Sequence, residues 1–387
     1  MSFVAVDLGA SGTRYTNNCG KFATIPNNVI FLEKENKVTG EKEINMDFID
    51  MEVTSGDIMD SLEIVVEHPN DPTGFFPMHV LMGNIAERHR TTPEYPQVGV
   101  NKHAQRINYL SAVVAMALSQ IQHGVTGDIN LYIAVPPSQI TEAKAEFGKG
   151  LTGQFTVTFP KFNGGTTVTI NVVSVKCAEE STMAILSYFF GLDGKPKAES
   201  AKYLKGTVLS MDIGASTTDL AIIKNGRFLE KSGRTYPNGG NIARDYLIDA
   251  AMGKLNYPLG LEDATMAMAE GRLQFGDQYI EITELLDEAK EEVARNLVTY
   301  MDAYFQRTQI PMQAINAIVV SGGGSMKSQY IGDDNEPHIT SKPLSEFITK
   351  ALANKCSGVA VVNHSDNPRF ANIYGLYIKA QLDAMRK

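Results

Sequence analysis

The sequence predicts an α/β protein built from two related halves that face each other across a cleft. Three stretches predict it. In the first, Thr207-Val208-Leu209-Ser210-Met211 runs into Asp212-Ile213-Gly214-Ala215-Ser216-Thr217-Thr218-Asp219, and a second apolar run to Ile223 is closed by Asn225-Gly226. Asn-Gly beside such a run is a strong hairpin signal, so the small residues fall at a strand–turn–strand bend. The second is Asp7-Leu8-Gly9-Ala10-Ser11-Gly12-Thr13-Arg14, which shares Asp, Gly, Ala, Ser and Thr with the octet starting at Asp212. A repeated strand–acid–loop–strand unit predicts two halves of common design. The third is Ala317-Ile318-Val319-Val320, a buried strand that runs into Ser321-Gly322-Gly323-Gly324-Ser325.

The chemistry of the first two stretches follows from their residue types. Gly9, Ala10, Gly12, Gly214 and Ala215 let backbone N–H groups approach an anion. The hydroxyls of Ser11, Thr13, Ser216, Thr217 and Thr218 add donors. Asp7 and Asp212 would repel that anion unless a divalent cation lay between them, which predicts a nucleoside triphosphate with its Mg2+. Arg14 follows the first loop and is either a fixed cation for a phosphate or a surface strand arginine. Neither loop is a Walker A motif or a dinucleotide fingerprint, because a strand follows each loop where those motifs have a helix.

With 387 residues the chain has room for two domains with cores of their own. A net charge of −9 argues against direct nucleic-acid binding, which needs clustered Lys and Arg. Any link to DNA is expected through an adaptor. Cys19, Cys177 and Cys356 show no metal spacing and fit a reducing cytoplasm. No signal peptide and no apolar run long enough to cross a bilayer is visible.

In chain order, 3–25 reads as three strands. Residues 26–75 are loop-rich, with a strand-like run at 61–66, and read as part of a small insertion spanning about 26–100. A buried helix is expected over 108–122, a strand over 129–135 and a short helix over 141–149. Phe155–Phe159 and Thr166–Ile170 flank Asn163-Gly164-Gly165 as a hairpin, and Val172–Lys176 reads as a separate strand. Glu179-Glu180-Ser181 leads into a helix over 182–190. Glu180 there is either an acid favoured at a helix start or a carboxylate that orients an attacking water, with Glu179 as its competitor. Gly239, Gly240 and Asn241 open a helix over 242–252, either to bring N–H groups to a phosphate or ribose or to form an N-cap turn. Helices are expected over 261–271, 284–308, 345–353 and 370–385, with a last strand over 359–362. Gly322, Gly323, Gly324 and Ser325 offer bare backbone to a flat base.

The segments Asp7–Arg14, Asp212–Asp219 and Val319–Ser325 resemble, in order, the first phosphate, second phosphate and adenosine segments of the actin/DnaK/sugar-kinase ATPase superfamily. Val175–Tyr188 and Phe370–Lys379 resemble its two connecting helices. The hairpin from Phe155 to Ile170, Glu180-Ser181 and Asn372-Ile373-Tyr374-Gly375-Leu376-Tyr377 are most similar to the plasmid-segregation actins of the ParM and Alp type. The resemblance implies an actin-like fold of two ribonuclease-H-like halves, with domain I over about 1–185 plus 366–387 and domain II over about 186–365. It implies that Asp7 and Asp212 hold hydrated Mg2+, that Gly9, Gly214, Ser11 and Ser216 face the phosphates, and that Glu180 places the lytic water. Arg14 stands where the family has a phosphate-binding lysine. Ala10 replaces a usual hydroxyl and Ala215 a usual Gly or Asp.

The resulting expectation is an ATPase that assembles head to tail into cytoskeletal filaments, with plasmid or other DNA segregation through an adaptor as the implied role. A glycine backing accepts guanine as well as adenine, so GTP stays open. The alternatives are a small-molecule kinase of the same superfamily, a DnaK-type chaperone ATPase, and a nucleotide-switched scaffold that does not polymerise.

Overall fold

A computed structural model describes residues 2–10, 12–35, 42–44, 57–89, 91–97, 99–276, 278–332, 334–353, 355–356, 358–364 and 367–385. The chain divides into two compact units, one of Met1–Val135, Gln139–Glu179 and Leu376–Lys387, the other of Pro136–Ser138 and Glu180–Gly375.

The first unit contains β1 (Ser2–Gly9), β2 (Gly12–Asn17), β3 (Phe22–Ile25), β4 (Val29–Phe31), β5 (Glu33–Glu35), β6 (Lys42–Ile44), β7 (Glu63–Glu67) and β8 (Met78–Met82). Helix α1 (Asn84–Glu87), helix α2 (Arg106–His123), β9 (Ile129–Val135), α3 (Ile140–Leu151), β10 (Gly153–Phe159) and β11 (Thr166–Glu179) follow. Nine strands form one sheet in the order β3-β2-β1-β9-β11-β10-β7-β8-β4. Its centre is parallel, and β1 and β9 are apolar because neighbours cover both their faces. Helix α2 packs on β1 and β11 with Leu110, Val113, Val114 and Met116 fully buried, each contributing about 1.5–3 kcal/mol. Gly124 ends it in the left-handed conformation at φ 66°.

Two expectations change here. The stretch read as a small insertion over 26–100 contributes to the main sheet, because β7, β8 and β4 join it through β10, while, among the described residues, β5 and β6 pair only with each other. The separate strand over 172–176 is the second part of β11. A bulge between Val172 and Ser174 lets one strand leave its antiparallel partner β10 and continue parallel to β9.

The second unit contains α4 (Glu180–Phe189), α5 (Ala198–Ala201), β12 (Thr207–Ile213), β13 (Thr218–Lys224), β14 (Arg227–Phe228), β15 (Arg234–Tyr236), α6 (Asn241–Leu255) and α7 (Leu261–Glu270). Then come β16 (Arg272–Phe275), β17 (Gln278–Glu281), α8 (Thr283–Thr308), β18 (Ala317–Ser321), β19 (Ser328–Ile331), β20 (Pro337–Ser341), α9 (Leu344–Leu352) and β21 (Ala360–Asn363). Helix α10 (Ala371–Met385) starts in this unit. The sheet runs β14-β13-β12-β18-β21, with β15 beside β13. Strands β12, β18 and β21 are parallel, so their C-terminal ends, which carry Asp212, Ser321 and Asn363, lie at one edge. Helix α8 buries Ala289, Val293, Leu297, Met301 and Phe305 towards the sheet at near four-residue spacing. The antiparallel pairs β16–β17 and β19–β20 have no counterpart in the sequence reading, because four- and five-residue strands leave too little alternation to read.

Candidate functional site

In the first unit, β1 and β2 form the hairpin that carries the first loop. Their register sets Asp7 opposite Arg14. The Arg14 Nη1 donates to Asp7 Oδ2 at 3.1 Å, with both residues buried. Arg14, expected as a free cation for a phosphate, is therefore held by a carboxylate, and Asp7, expected as a metal carboxylate, has a built-in cation. A Cβ at Gly9 would lie 2.8 Å from Gly12 O and 3.1 Å from Arg14 Nη1, so the turn closes only around glycine. Ala10 is exposed. Ser11 lies outside the described residues. The Thr13 hydroxyl, expected to face a phosphate, donates to Asn27 Oδ1 at 2.9 Å. Buried Asn27 also donates through Nδ2 to Gly9 O at 2.5 Å and accepts from Ser111 Oγ at 3.2 Å. Asn27 thus fixes the loop, and no motif in the sequence signalled it.

The second unit repeats the hairpin with a different partner. Strands β12 and β13 pair so that Asp212 stands opposite Asp219. Helix α4 starts at Glu180, two residues earlier than expected, and this puts Glu180 into the first turn. Buried Glu180, Asp212 and Asp219 each offer a carboxylate oxygen within 4.8 Å of the other two. Ser321 Oγ donates to Asp212 Oδ1 at 3.1 Å, Asn372 Nδ2 to Asp212 Oδ2 at 2.8 Å, and Thr235 Oγ1 to Asp219 Oδ1 at 2.6 Å. The Asn372 Oδ1 is buried with no hydrogen-bond partner among the described residues. Unit charges held this close repel by about 3 kcal/mol or more per pair at an effective dielectric of 20. Hard oxygen donors in such a group suit Mg2+. Asp219 was missed by sequence reasoning. Its signal was the seven-residue spacing from Asp212, which a tight hairpin converts into direct opposition.

The loop between β12 and β13 is braced from two sides. Gly214 N–H donates to Thr217 O at 2.8 Å and closes the turn, so it is not offered to an anion as expected. Gly240 N–H donates to Gly214 O at 2.9 Å and Asn241 N–H to Ala215 O at 2.7 Å. These two groups, expected to face a phosphate or ribose, hold the loop instead. The Asn241 side chain reaches Ser216 Oγ at 3.3 Å. A Cβ on Gly239 would lie 2.4 Å from Gly214 O, which only glycine avoids. Among the described residues, the N–H groups of Ala215, Ser216 and Thr217 have no hydrogen-bond acceptor, so three donors remain for an anion.

The glycine segment after β18 meets the same loop. Gly322 has φ +87°, and a Cβ there would sit 2.3 Å from Ile213 O and 2.6 Å from Asp212 Oδ1. Gly324 would place one 3.0 Å from Gly214 O. Gly323 opens the short 3-10 turn Gly323–Ser325, and the Ser325 hydroxyl is turned inward to Gly322 O at 2.8 Å. The structure thus gathers Glu180, Asp212, Gly214–Thr217, Gly239–Asn241 and Gly322–Ser325 in one unit.

Behind the carboxylates lies a neutral brace. Ser187 Oγ on α4 is 2.7 Å from His364 Nε2 and 2.7 Å from Ala371 O at the start of α10. Burial pushes the His364 imidazole down to about 3, aided by the charge of Lys197. Helix α4 carries Glu180 and α10 carries Asn372, so this uncharged contact ties together two elements that supply the site.

No protein-family model and no curated protein matches the sequence. Solved structures do match over nearly the whole chain. The actin-like protein Alp7A aligns with TM-score 0.72 and 17% identity, covering 99% of this chain and 97% of that one. Ta0583, an archaeal actin homolog solved in complex with ADP, aligns with TM-score 0.66 and 15% identity over 99% and 100%. A subunit of a 15-stranded ParM filament from Clostridium botulinum aligns with TM-score 0.64 and 16% identity over 99% of each chain. The chain therefore has the actin-like fold that these ParM, Alp7A and archaeal structures share.

Proposed function

We propose that the protein is an actin-like ATPase that binds MgATP and assembles with itself, head to tail, into filaments. The carrying observation is the buried Glu180–Asp212–Asp219 group beside three unused loop N–H donors. Carboxylates and anion donors side by side suit a phosphate chain that arrives with its own cation. Asp212 and Asp219 would hold the hydrated magnesium, which neutralises phosphate charge when bound. Ala215, Ser216 and Thr217 direct N–H groups at phosphate oxygens. The Glu180 carboxylate orients and deprotonates the attacking water. Gly322, Gly323 and Gly324 back the base, ATP or GTP. The likeness to a filament subunit supports self-assembly. Segregation of plasmid or other DNA through an adaptor, in the cytoplasm, is the role this reading carries.

The test is 90° light scattering with pelleting after addition of MgATP, MgADP or buffer, with phosphate release followed in parallel. Scattering that rises with MgATP and decays as phosphate appears is the expected result. Phosphate release without scattering at high protein concentration removes the filament and favours a kinase or scaffold. Neither signal removes the ATPase reading as well.

A further inference from the structure

Helix α10 opens with three buried residues, Ala371, Asn372 and Ile373. The middle one is polar, yet only 8% exposed. Among the described residues its amide makes one side-chain hydrogen bond. Nδ2 donates to Asp212 Oδ2 at 2.8 Å, and Oδ1 accepts nothing. This orientation is not interchangeable. A carboxylate can only accept, so the amide nitrogen must face Asp212 and the carbonyl oxygen must face elsewhere. A buried acceptor without a donor costs free energy that an apolar residue of the same shape would not. A second such atom belongs to the residue after Glu180. Ser181 Oγ is fully buried and has no hydrogen-bond partner among the described residues. Two orphaned polar atoms, on residues bonded to Asp212 and next to Glu180, point to a ligand that brings its own donors.

The start of α10 is fixed from three directions. Ala371 O accepts from Ser187 Oγ at 2.7 Å. Gly375 lies so close to α4 that a Cβ there would collide with Met183 O. Just before the helix, Pro368 O accepts from Gly322 N–H at 3.0 Å, which ties it to the glycine turn after β18. Asp212 is held as firmly, because Ser321 Oγ donates to its other oxygen, Oδ1, at 3.1 Å. Asn372 therefore presents its free oxygen from a preorganised frame.

We infer that Asn372 is the positioning residue that makes the second hairpin select a hydrated cation. Its N–H fixes the Asp212 carboxylate, and its Oδ1 accepts an O–H from a water that the cation carries. The inference rests on the MgATP reading and adds a basis for choosing Mg2+ over Ca2+. Mg2+ dehydrates reluctantly and keeps several waters, whereas Ca2+ takes more oxygen ligands in a looser geometry. An acceptor placed for a bound water favours the first ion. A neutral amide adds no charge that would attract both ions alike, so its effect lies in orientation.

The test follows binding of a fluorescent ATP analogue to the full chain while Mg2+ or Ca2+ is titrated, with melting temperature measured in EDTA. Asn372→Ala and Asn372→Leu both remove the amide, and leucine refills its volume. Each should raise the Mg2+ needed for half-maximal binding by at least about tenfold and the Ca2+ needed by less than about threefold. Affinity in EDTA should stay within about twofold of wild type, because the amide acts through the cation. In EDTA, Asn372→Leu should melt at or above the wild-type temperature, since the orphaned acceptor is gone. An unchanged Mg2+ requirement, or an equal rise for Ca2+, overturns the inference and leaves the MgATP reading standing. A leucine variant that melts well below wild type with its cation preference intact makes Asn372 a packing residue and overturns it too. Wild-type binding that ignores both cations overturns the inference and the MgATP reading together.

Discussion

The two phosphate hairpins share a backbone and differ in one cross-strand partner. In the first unit Asp7 faces Arg14, and the pair neutralises itself inside the fold. In the second unit Asp212 faces Asp219, and Glu180 adds a third carboxylate. A turn that brings residue i against residue i+7 works equally well for both. The chemistry is set by which side chain stands at the second position. The first hairpin brings its own cation, whereas the second gathers three carboxylates whose oxygens suit one from solution. Cation dependence should therefore belong to the second unit.

The largest expected effect breaks the first hairpin. Asp7→Ala leaves the Arg14 guanidinium buried without its carboxylate and should cost about 3–5 kcal/mol in urea unfolding, independent of magnesium. Asp212→Asn relieves repulsion and should cost far less, yet it should erase any stabilisation by MgATP. Equal costs for the two changes would remove the contrast. Next, Glu180→Gln keeps the shape of the side chain and removes its basicity. Phosphate release should fall by about 10²–10³-fold while nucleotide affinity, followed by fluorescence titration, stays within about threefold.

A smaller effect concerns acid. The folded-state pKa of His364 lies below its unfolded value of 6.5, so the unfolded chain binds the extra proton first. Stability from this group is complete above pH 6.5 and is lost as pH falls towards about 3. The slope is about 1.4 kcal/mol per pH unit, or roughly 2 kcal/mol by pH 5. Because His364 and Ser187 brace α4 and α10, acid should loosen the second site before the first. His364→Gln should flatten the acid limb of a melting-temperature profile. The smallest effect is Asn27→Ala, which removes three hydrogen bonds behind the first loop. It should lower stability by about 1–3 kcal/mol without changing magnesium dependence.

How much of this was legible in the sequence depends on the scale of the feature. The repeated octets, the glycines after β18 and the long helix α8 are local patterns, and they were readable because burial and turn chemistry act on neighbours in the chain. Glu180 was readable as a helix-start acid, and its group with Asp212 and Asp219 required the sheet. Arg14 was read as a cation for a phosphate, because strand register, which turns it onto Asp7, is set by the length of the turn. Gly240 and Asn241 were read as ligand donors, because nothing local says that the carbonyls of Gly214 and Ala215 reach them first. The hairpins β16–β17 and β19–β20 stayed hidden because strands of four and five residues show too little alternation to read, and Tyr279, Ile280, Ile331 and Ile339 face out.

The most direct test of the central claim is ATP binding to wild type and to Asp219→Asn, each titrated in magnesium and in EDTA. Wild type should bind at least about tenfold more weakly in EDTA, and Asp219→Asn should show little difference between the two conditions. Wild-type affinity unchanged by EDTA, or full magnesium dependence retained in Asp219→Asn, would contradict a cation held by the second hairpin.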